Sequence, residues 1–413
     1  MRTLIDHIGQ LVVVPRGPVR GRAMDGVSTI DDAALLIEHD RIAWFGPRHA
    51  APGGHHDCVV DAAGGCVVPG LVDCHTHVVF AGSRVDEFVQ RVRGRTYLEI
   101  LEAGGGIHVT VAAVRAADED ELVRLALPRL LRMLAAGSTT VEVKSGYGLT
   151  PADELKTLRA VKRLAGMQHV ELIGTYMAAH TVPKEYAGRP DAYLDLVLED
   201  RLLETLYSSD LAEFADVFCE RGAFDLKRSE RFLRECGRHG LKPKIHAEQI
   251  TNSGSARLAA SLGAVSADHL EQIDDAGIRA LATSRTIPVL LPGCTFFLNG
   301  EPAPARRLIE ADLPVAIASD CNPGSSMIES MPLTLAIAVA RLRLTPMEAL
   351  VAATANAAAA LDRADRLGAI EAGHQADLLV LHERTAAHMA YEVGRNPVRL
   401  VIKRGRVVHE NVM

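Results

Sequence analysis

The stretch VDCHTHVVFAG, residues 72–82, places His75 and His77 on either side of Thr76, at the end of the apolar run VVPGLVD. In a β-strand, residues two apart point to the same face, so both imidazoles project to one side if the strand continues through them. That is a chelating geometry. The pair alone is a weak signal, because any one of the 17 histidines in the chain is more often a satisfied core or surface residue than a ligand. What strengthens it is the company it keeps further along the chain.

Downstream, apolar β-rich runs alternate with amphipathic helical stretches, as in a parallel sheet with crossover helices. Eight runs are present: CVVPGLVDCHTH, STTVEVKSG, VELIGTYMAAH, FADVFCE, KPKIHAEQ, GAVSADHLE, TIPVLLPG and LPVAIASD. Eight strands in this alternation predict an α/β fold built on a (β/α)8 TIM-like barrel. The helices carry their own start signals. In TPADELKTLRAVKRL, Thr150 can cap and Pro151 fits the first helical position, while Leu155, Leu158, Val161 and Leu164 repeat on one face. TPMEALVAATANAAAAL opens with a capping box, Thr345 and Glu348. Both chain ends read as short strands with turns, QLVVV and AALLIEHDRIAWFG at one end, ADLLVLHE and VRLVIKRGRVVHE at the other. The expected organisation is therefore a barrel over 65–365 and a small β-sandwich domain built from both ends, 1–64 and 366–413.

Composition narrows the function. Of 413 residues, 48% are hydrophobic and 23% charged, which suits a globular protein, and no apolar run is long enough to span a membrane. MRTLIDHIGQLVVVP interrupts its apolar stretch with Asp6 and His7 and lacks a signal-peptide profile, which predicts a cytoplasmic protein. Seven scattered cysteines without a CxxC pair agree with a reducing compartment. A net charge of -7 offers no basic footprint, so neither nucleic acid nor an anionic membrane is an expected partner. GxSxG, GxGxxG and GxxxxGK[ST] are all absent. AGGGIH, residues 103–108, reads as a flexible loop over the site or, equally, as a plain surface turn.

Run three ends at His180, run five carries His246, run six carries His269 and run eight ends at Asp320. The C-terminal ends of barrel strands are where such enzymes build their active sites. Imidazoles with a carboxylate suit zinc or ferrous iron, either of which activates a coordinated water and polarises a carbonyl. The chemistry indicated is hydrolysis.

PGLVDCHTH, the barrel with His246, His269 and Asp320 at strand ends, and EAGHQADLLVL near the end together resemble the amidohydrolase superfamily across nearly the whole chain. Within it, HTHVVFAGSRVDEF, EVKSGYGL and SDCNPGSS are similar to the imidazolonepropionase family, the ring-opening enzymes of histidine degradation. The resemblance implies one divalent metal ion, zinc or iron, held by His75, His77, His246 and Asp320. It also implies a pocket for a small-molecule substrate, made by Arg84, Tyr147, His180, Gln249, Asn322, Gly324 and Ser325. The implied reaction is hydrolysis of the cyclic amide of 4-imidazolone-5-propanoate to N-formimino-L-glutamate. Another cyclic amidase, a nucleobase deaminase or a non-catalytic barrel are the alternatives.

Each residue has a plausible task. Arg84 could hold a carboxylate through two parallel hydrogen bonds, Tyr147 could reach a ring oxygen, and the NPGSS turn could offer backbone N–H groups to an anion. His269 is the candidate proton shuttle, with Asp320 able to share that role. Its neighbour Asp268 is expected to point the other way and to be structural. Lys144 and Glu220 lie near strand ends and keep a second metal open, although FADVFCE lacks a lysine at its end. Related deaminases place a glutamate where this chain has Gln249, and an amide cannot transfer a proton as an acid; Glu248 is its neighbour. A homodimer is the default assembly.

Overall fold

The run CVVPGLVDCHTH does not stay in one sheet. The computed structural model describes residues 1–95, Glu99 and 105–411, and in it the run divides at Gly70 between two eight-stranded sheets. A Cβ on Gly70 would stand 2.4 Å from the Thr139 hydroxyl. Only glycine lets the chain cross there.

The strands in chain order are β1 (Arg2–Val13), β2 (Ser28–Glu38), β3 (Arg41–Pro47), β4 (Cys58–Asp61), β5 (Cys66–Pro69), β6 (Leu71–Asp73), β7 (Ser138–Lys144), β8 (Glu171–Ala179), β9 (Phe214–Cys219), β10 (Lys242–Ala247), β11 (Ser266–His269), β12 (Ile287–Leu290), β13 (Ala316–Ile317), β14 (Leu378–Leu381), β15 (Val398–Lys403) and β16 (Arg406–Glu410). β6 to β13 form one all-parallel sheet in chain order. These are the eight predicted runs. The terminal pair is short, and the seam between β6 and β13 is stitched by residues just past both strands. Thr76 pairs in parallel with Cys321, His77 N–H donates to Cys321 O at 3.0 Å, and Asp320 N–H donates to His75 O at 3.1 Å. The barrel thus closes through the segments that carry the histidine pair and Asp320.

Both helix-start signals hold. Thr150 accepts from Asp153 N–H at the start of helix Pro151–Ala165, and Thr345 and Glu348 form both halves of the capping box on helix Pro346–Ala352. AGGGIH lies partly outside the described residues; Gly106 caps helix Ile107–Ala116. Among the described residues no helix is long and apolar enough to cross a membrane.

The second sheet, ordered β16-β15-β14-β5-β1-β2-β3 with β4 also on β1, interleaves the two chain ends. β1 pairs its first half with β4 and its second with β5, with an irregularity between Ile5 and Ile8, where His7 has φ 52°. Ile5, Leu35, Val67, Leu378 and Ile402, from five strands of this sheet, meet in one buried cluster. The core of this unit is therefore lined by strands of a single sheet and not by two separate ones. Glu171 at the start of β8 ties the sheets together through Arg366 and Lys403.

Candidate metal centre and active site

Two buried carboxylates decide how the histidines face one another. His75 Nδ1–H donates to Asp268 Oδ2 at 2.6 Å, and His246 Nδ1–H donates to Asp216 Oδ1 at 3.0 Å. A histidine that spends Nδ1 in this way offers Nε2 as a ligand, in a fixed orientation. His75 Nε2 lies 3.5 Å from Asp320 Oδ1, and His77 Nε2 lies 4.0 Å from the same oxygen. The His75 and His246 rings are 4.5 Å apart between centroids, and those of His246 and His269 are 5.2 Å apart. Donor atoms of His75, His77 and Asp320 all lie within 4.8 Å of one another, as do those of His75, His246 and His269.

The donor set fits a metal ion. His75 Nε2 is fully buried without a hydrogen-bond partner, a costly state for a polar nitrogen unless something coordinates it. Burial, reinforced by the Lys144 ammonium for His75 and by the crowding of the His180 imidazole for His77, holds both imidazoles well below the ordinary histidine pKa. They stay neutral, the form that binds metal. The four expected ligands thus gather around His75, and His269 stands as a fifth donor within the same reach.

Below them lies a buried charge network. Lys144 Nζ donates to Asp216 Oδ2 at 2.7 Å and to Glu142 Oε1 at 3.0 Å, and stands 3.4 Å from Asp268 Oδ2. Lys244 Nζ donates to Glu142 Oε2 at 2.6 Å. Burial opposes the charge on Lys144, but Asp216, Glu142 and Asp268 together outweigh it and hold its pKa above the ordinary value. A protonated amine so engaged is not a free bridging lysine. Glu220 is also occupied, accepting from the N–H groups of Arg221, Ile250 and Thr251.

Asp268 keeps the structural role expected of it, as the acceptor for His75, but not the expected direction. It points into the barrel together with His269, because His269 and Leu270 both have positive φ, 84° and 69°, and strand alternation ends there. Within that turn, burial lowers the basicity of His269, but Glu271, Asp320 and Asp268 overcome it and leave its pKa raised.

On the pocket side, His180 Nδ1–H donates to Gly146 O at 3.1 Å and its ring stacks on His77 at 5.1 Å. Burial, with His246 nearby, pushes its pKa down to about 3, so it is neutral. Tyr147 lies 5.5 Å from His180 and 5.6 Å from His77, ring to ring. Its loop is held by buried Glu154, which accepts from the N–H groups of Gly146, Gly148 and Leu149 at 2.7–3.0 Å. Burial raises the Tyr147 phenol, leaving it a hydrogen-bond donor.

Arg84 reaches the opposite turn. Its Nε and Nη2 donate to Glu87 at 3.0 and 2.7 Å, and its Nη1 lies 2.2 Å from where a Cβ on Gly324 would stand. The NPGSS turn departs from expectation in one respect. The N–H groups of Gly324 and Ser325 both donate to Asn322 Oδ1 at 2.8 Å, so they are spent within the turn. Asn322 Nδ2 in turn donates to Asp320 O at 2.7 Å, and Ser325 Oγ stands 3.4 Å from Asp320 Oδ2. Gln249 Nε2 donates to Cys294 Sγ at 3.5 Å. Glu248 instead accepts from Ala256 N–H at the start of helix Ser255–Leu262.

Three site residues escape the sequence reading. Asp216 carried a usable signal, an aspartate in the middle of an apolar run, since buried carboxylates require partners. Glu142 sat in STTVEVKSG with the same signal. Glu271 carried none, because it follows the end of β11, where no periodicity applies.

Comparison with known proteins places the chain. The amidohydrolase family pattern matches residues 66–408. The imidazolonepropionase of Brevibacillus brevis is 45% identical over 412 residues, covering 98% of this chain and 97% of its own length. That of Herpetosiphon aurantiacus is 43% identical, covering 99% and 97%. Among solved structures, guanine deaminase from E. coli superposes with a TM-score of 0.73 at 17% identity, over 100% of both chains. An atrazine chlorohydrolase from Arthrobacter aurescens complexed with zinc gives 0.72 at 18%, covering 99% of this chain and 95% of its own. At such identity the last two speak for the fold alone. The chain, matched end to end by imidazolonepropionases, belongs to the imidazolonepropionase family of amidohydrolases.

Proposed function

We propose that this enzyme hydrolyses the cyclic amide of 4-imidazolone-5-propanoate to N-formimino-L-glutamate, within histidine degradation in the cytoplasm. The observation that carries the reading is the match to imidazolonepropionases over 98% of the chain. The site agrees with it. His75, His77, His246 and Asp320 would hold one zinc or iron ion, which supplies an activated water and polarises the amide carbonyl. A single ion is favoured because Lys144 and Glu220 are already engaged.

His269 would move a proton between the attacking water and the departing ring nitrogen, with Asp320 beside it. Arg84, next to Gly324, Asn322 and Ser325, would hold the propionate carboxylate with the nitrogen not committed to Glu87. Tyr147 and neutral His180 would donate to and accept from the ring, and Gln249 would orient it without acting as an acid. In this reading the barrel begins after Gly70 rather than at residue 65, because β5 (Cys66–Pro69) pairs within the second sheet; it runs to 365, the small β domain takes the rest of both chain ends, and two copies form a homodimer.

Purified protein should bleach the imidazolone chromophore and release N-formimino-L-glutamate, with about one metal equivalent per chain. Turnover of a nucleobase alone would overturn the proposal.

A further inference from the structure

Glu271 lies two residues beyond His269, on a turn that the chain holds under strain. His269 and Leu270 are consecutive non-glycine residues in the left-handed region, φ 84° and 69°. Each such residue costs roughly 1–2 kcal/mol, so surrounding contacts must hold it. Leu270 N–H donates to Ala247 O at 3.0 Å and Gln272 N–H to Glu248 O at 2.8 Å, anchoring the turn to the end of β10. The result is that the Glu271 side chain folds back on His269. Its Oε1 stands 3.5 Å from His269 Nδ1, with both side chains almost wholly buried, 4% and 3% exposed.

The atoms that face each other have no other partner. Both Glu271 oxygens and His269 Nδ1 are buried without a hydrogen-bond partner among the described residues. A buried carboxylate with no donor is expensive, and among the described residues the His269 imidazole is the one basic side chain within 4.0 Å of it. We infer that Glu271 is a positioning residue for His269, accepting its Nδ1–H so that Nε2 is the nitrogen left to take and return a proton. The logic parallels the carboxylates on His75 and His246, but here it serves a proton-transfer group. Separations in such pairs often shorten once substrate is bound. The inference rests on His269 acting in the proposed reaction.

The test is a double-mutant cycle on the metal-loaded full-length protein, with Glu271→Gln, His269→Asn and the pair, assayed on 4-imidazolone-5-propanoate. Glu271→Gln should lower kcat about 10- to 100-fold, the scale for losing a group that orients a reacting side chain, while KM stays within about twofold and metal content is unchanged. Once His269 is asparagine, the second substitution should add nothing. Multiplicative losses, or a loss confined to KM, would overturn the assignment. A reading independent of turnover comes from long-range ¹H–¹⁵N spectra, where the ring signals lost in His269→Asn identify that histidine. The Nδ1–H tautomer should be present in the native protein and absent or averaged in Glu271→Gln; a native Nε2–H tautomer refutes the pairing even if the substrate is a different one.

Discussion

Replacing Asp268 with asparagine should loosen the metal without unfolding the barrel. The Asp268 carboxylate accepts from His75 Nδ1–H at 2.6 Å, with both side chains fully buried, and a bond to a charged acceptor at that length is about twice as strong as a neutral one. An amide removes the charge and can present its own N–H to the ring, which favours the tautomer that withholds Nε2 from a metal. Loss of such a partner lowers metal affinity by roughly 10- to 100-fold, or about 1.4–2.7 kcal/mol. The fold should tolerate the change because Lys144 keeps Asp216 at 2.7 Å and Glu142 at 3.0 Å. Competition with a chromophoric chelator gives the affinity, and denaturant unfolding of the metal-free protein gives the stability. An affinity within about threefold of the native value, or a loss of metal-free stability as large as the loss of metal binding, would refute the orienting role.

Gly324→Ala sets a Cβ 2.2 Å from Arg84 Nη1, so the guanidinium must move while Glu87 holds its other nitrogens; KM for the propionate-bearing substrate should rise about tenfold, near 1.4 kcal/mol, and an unchanged KM would remove Arg84 from the substrate site. The Glu171 carboxyl is held down at about 2 against an ordinary 4.5: burial opposes this, but Arg366, Lys403 and Arg404 prevail. A depressed carboxyl stabilises the fold above about pH 4.5 and loses that contribution as pH falls toward 2, here up to roughly 3 kcal/mol. Glu171→Gln should therefore be less stable than the native chain at pH 7 and converge on it near pH 2; a difference in unfolding free energy that stays constant with pH would contradict this.

Much of this protein is legible in one dimension. The alternation of apolar runs and amphipathic helices specifies the parallel sheet, because period two and period 3.6 are local properties of the chain. The caps at Thr150 and Thr345 are read from side chains within three residues of the groups they bind. His75, His77, His246, His269 and Asp320 stand out because ligand-type residues recur where runs end. What the sequence could not decide lies past those ends. Gly70 divides one continuous apolar run between two sheets, because the obstacle is Thr139, 69 positions away. Asp268 faces inward, and Glu271 folds back on His269, because two left-handed residues cancel the alternation that would predict their directions. The backbone donors of the NPGSS turn are consumed by Asn322, a matter of turn geometry rather than composition. Above all, the orientation of the metal histidines depends on carboxylates brought in from other strands, Asp268 across 193 positions and Asp216 across 30. Pattern encodes the face a residue takes within a regular element; which charge a buried charge meets is settled only when the barrel closes and each must find a partner away from water.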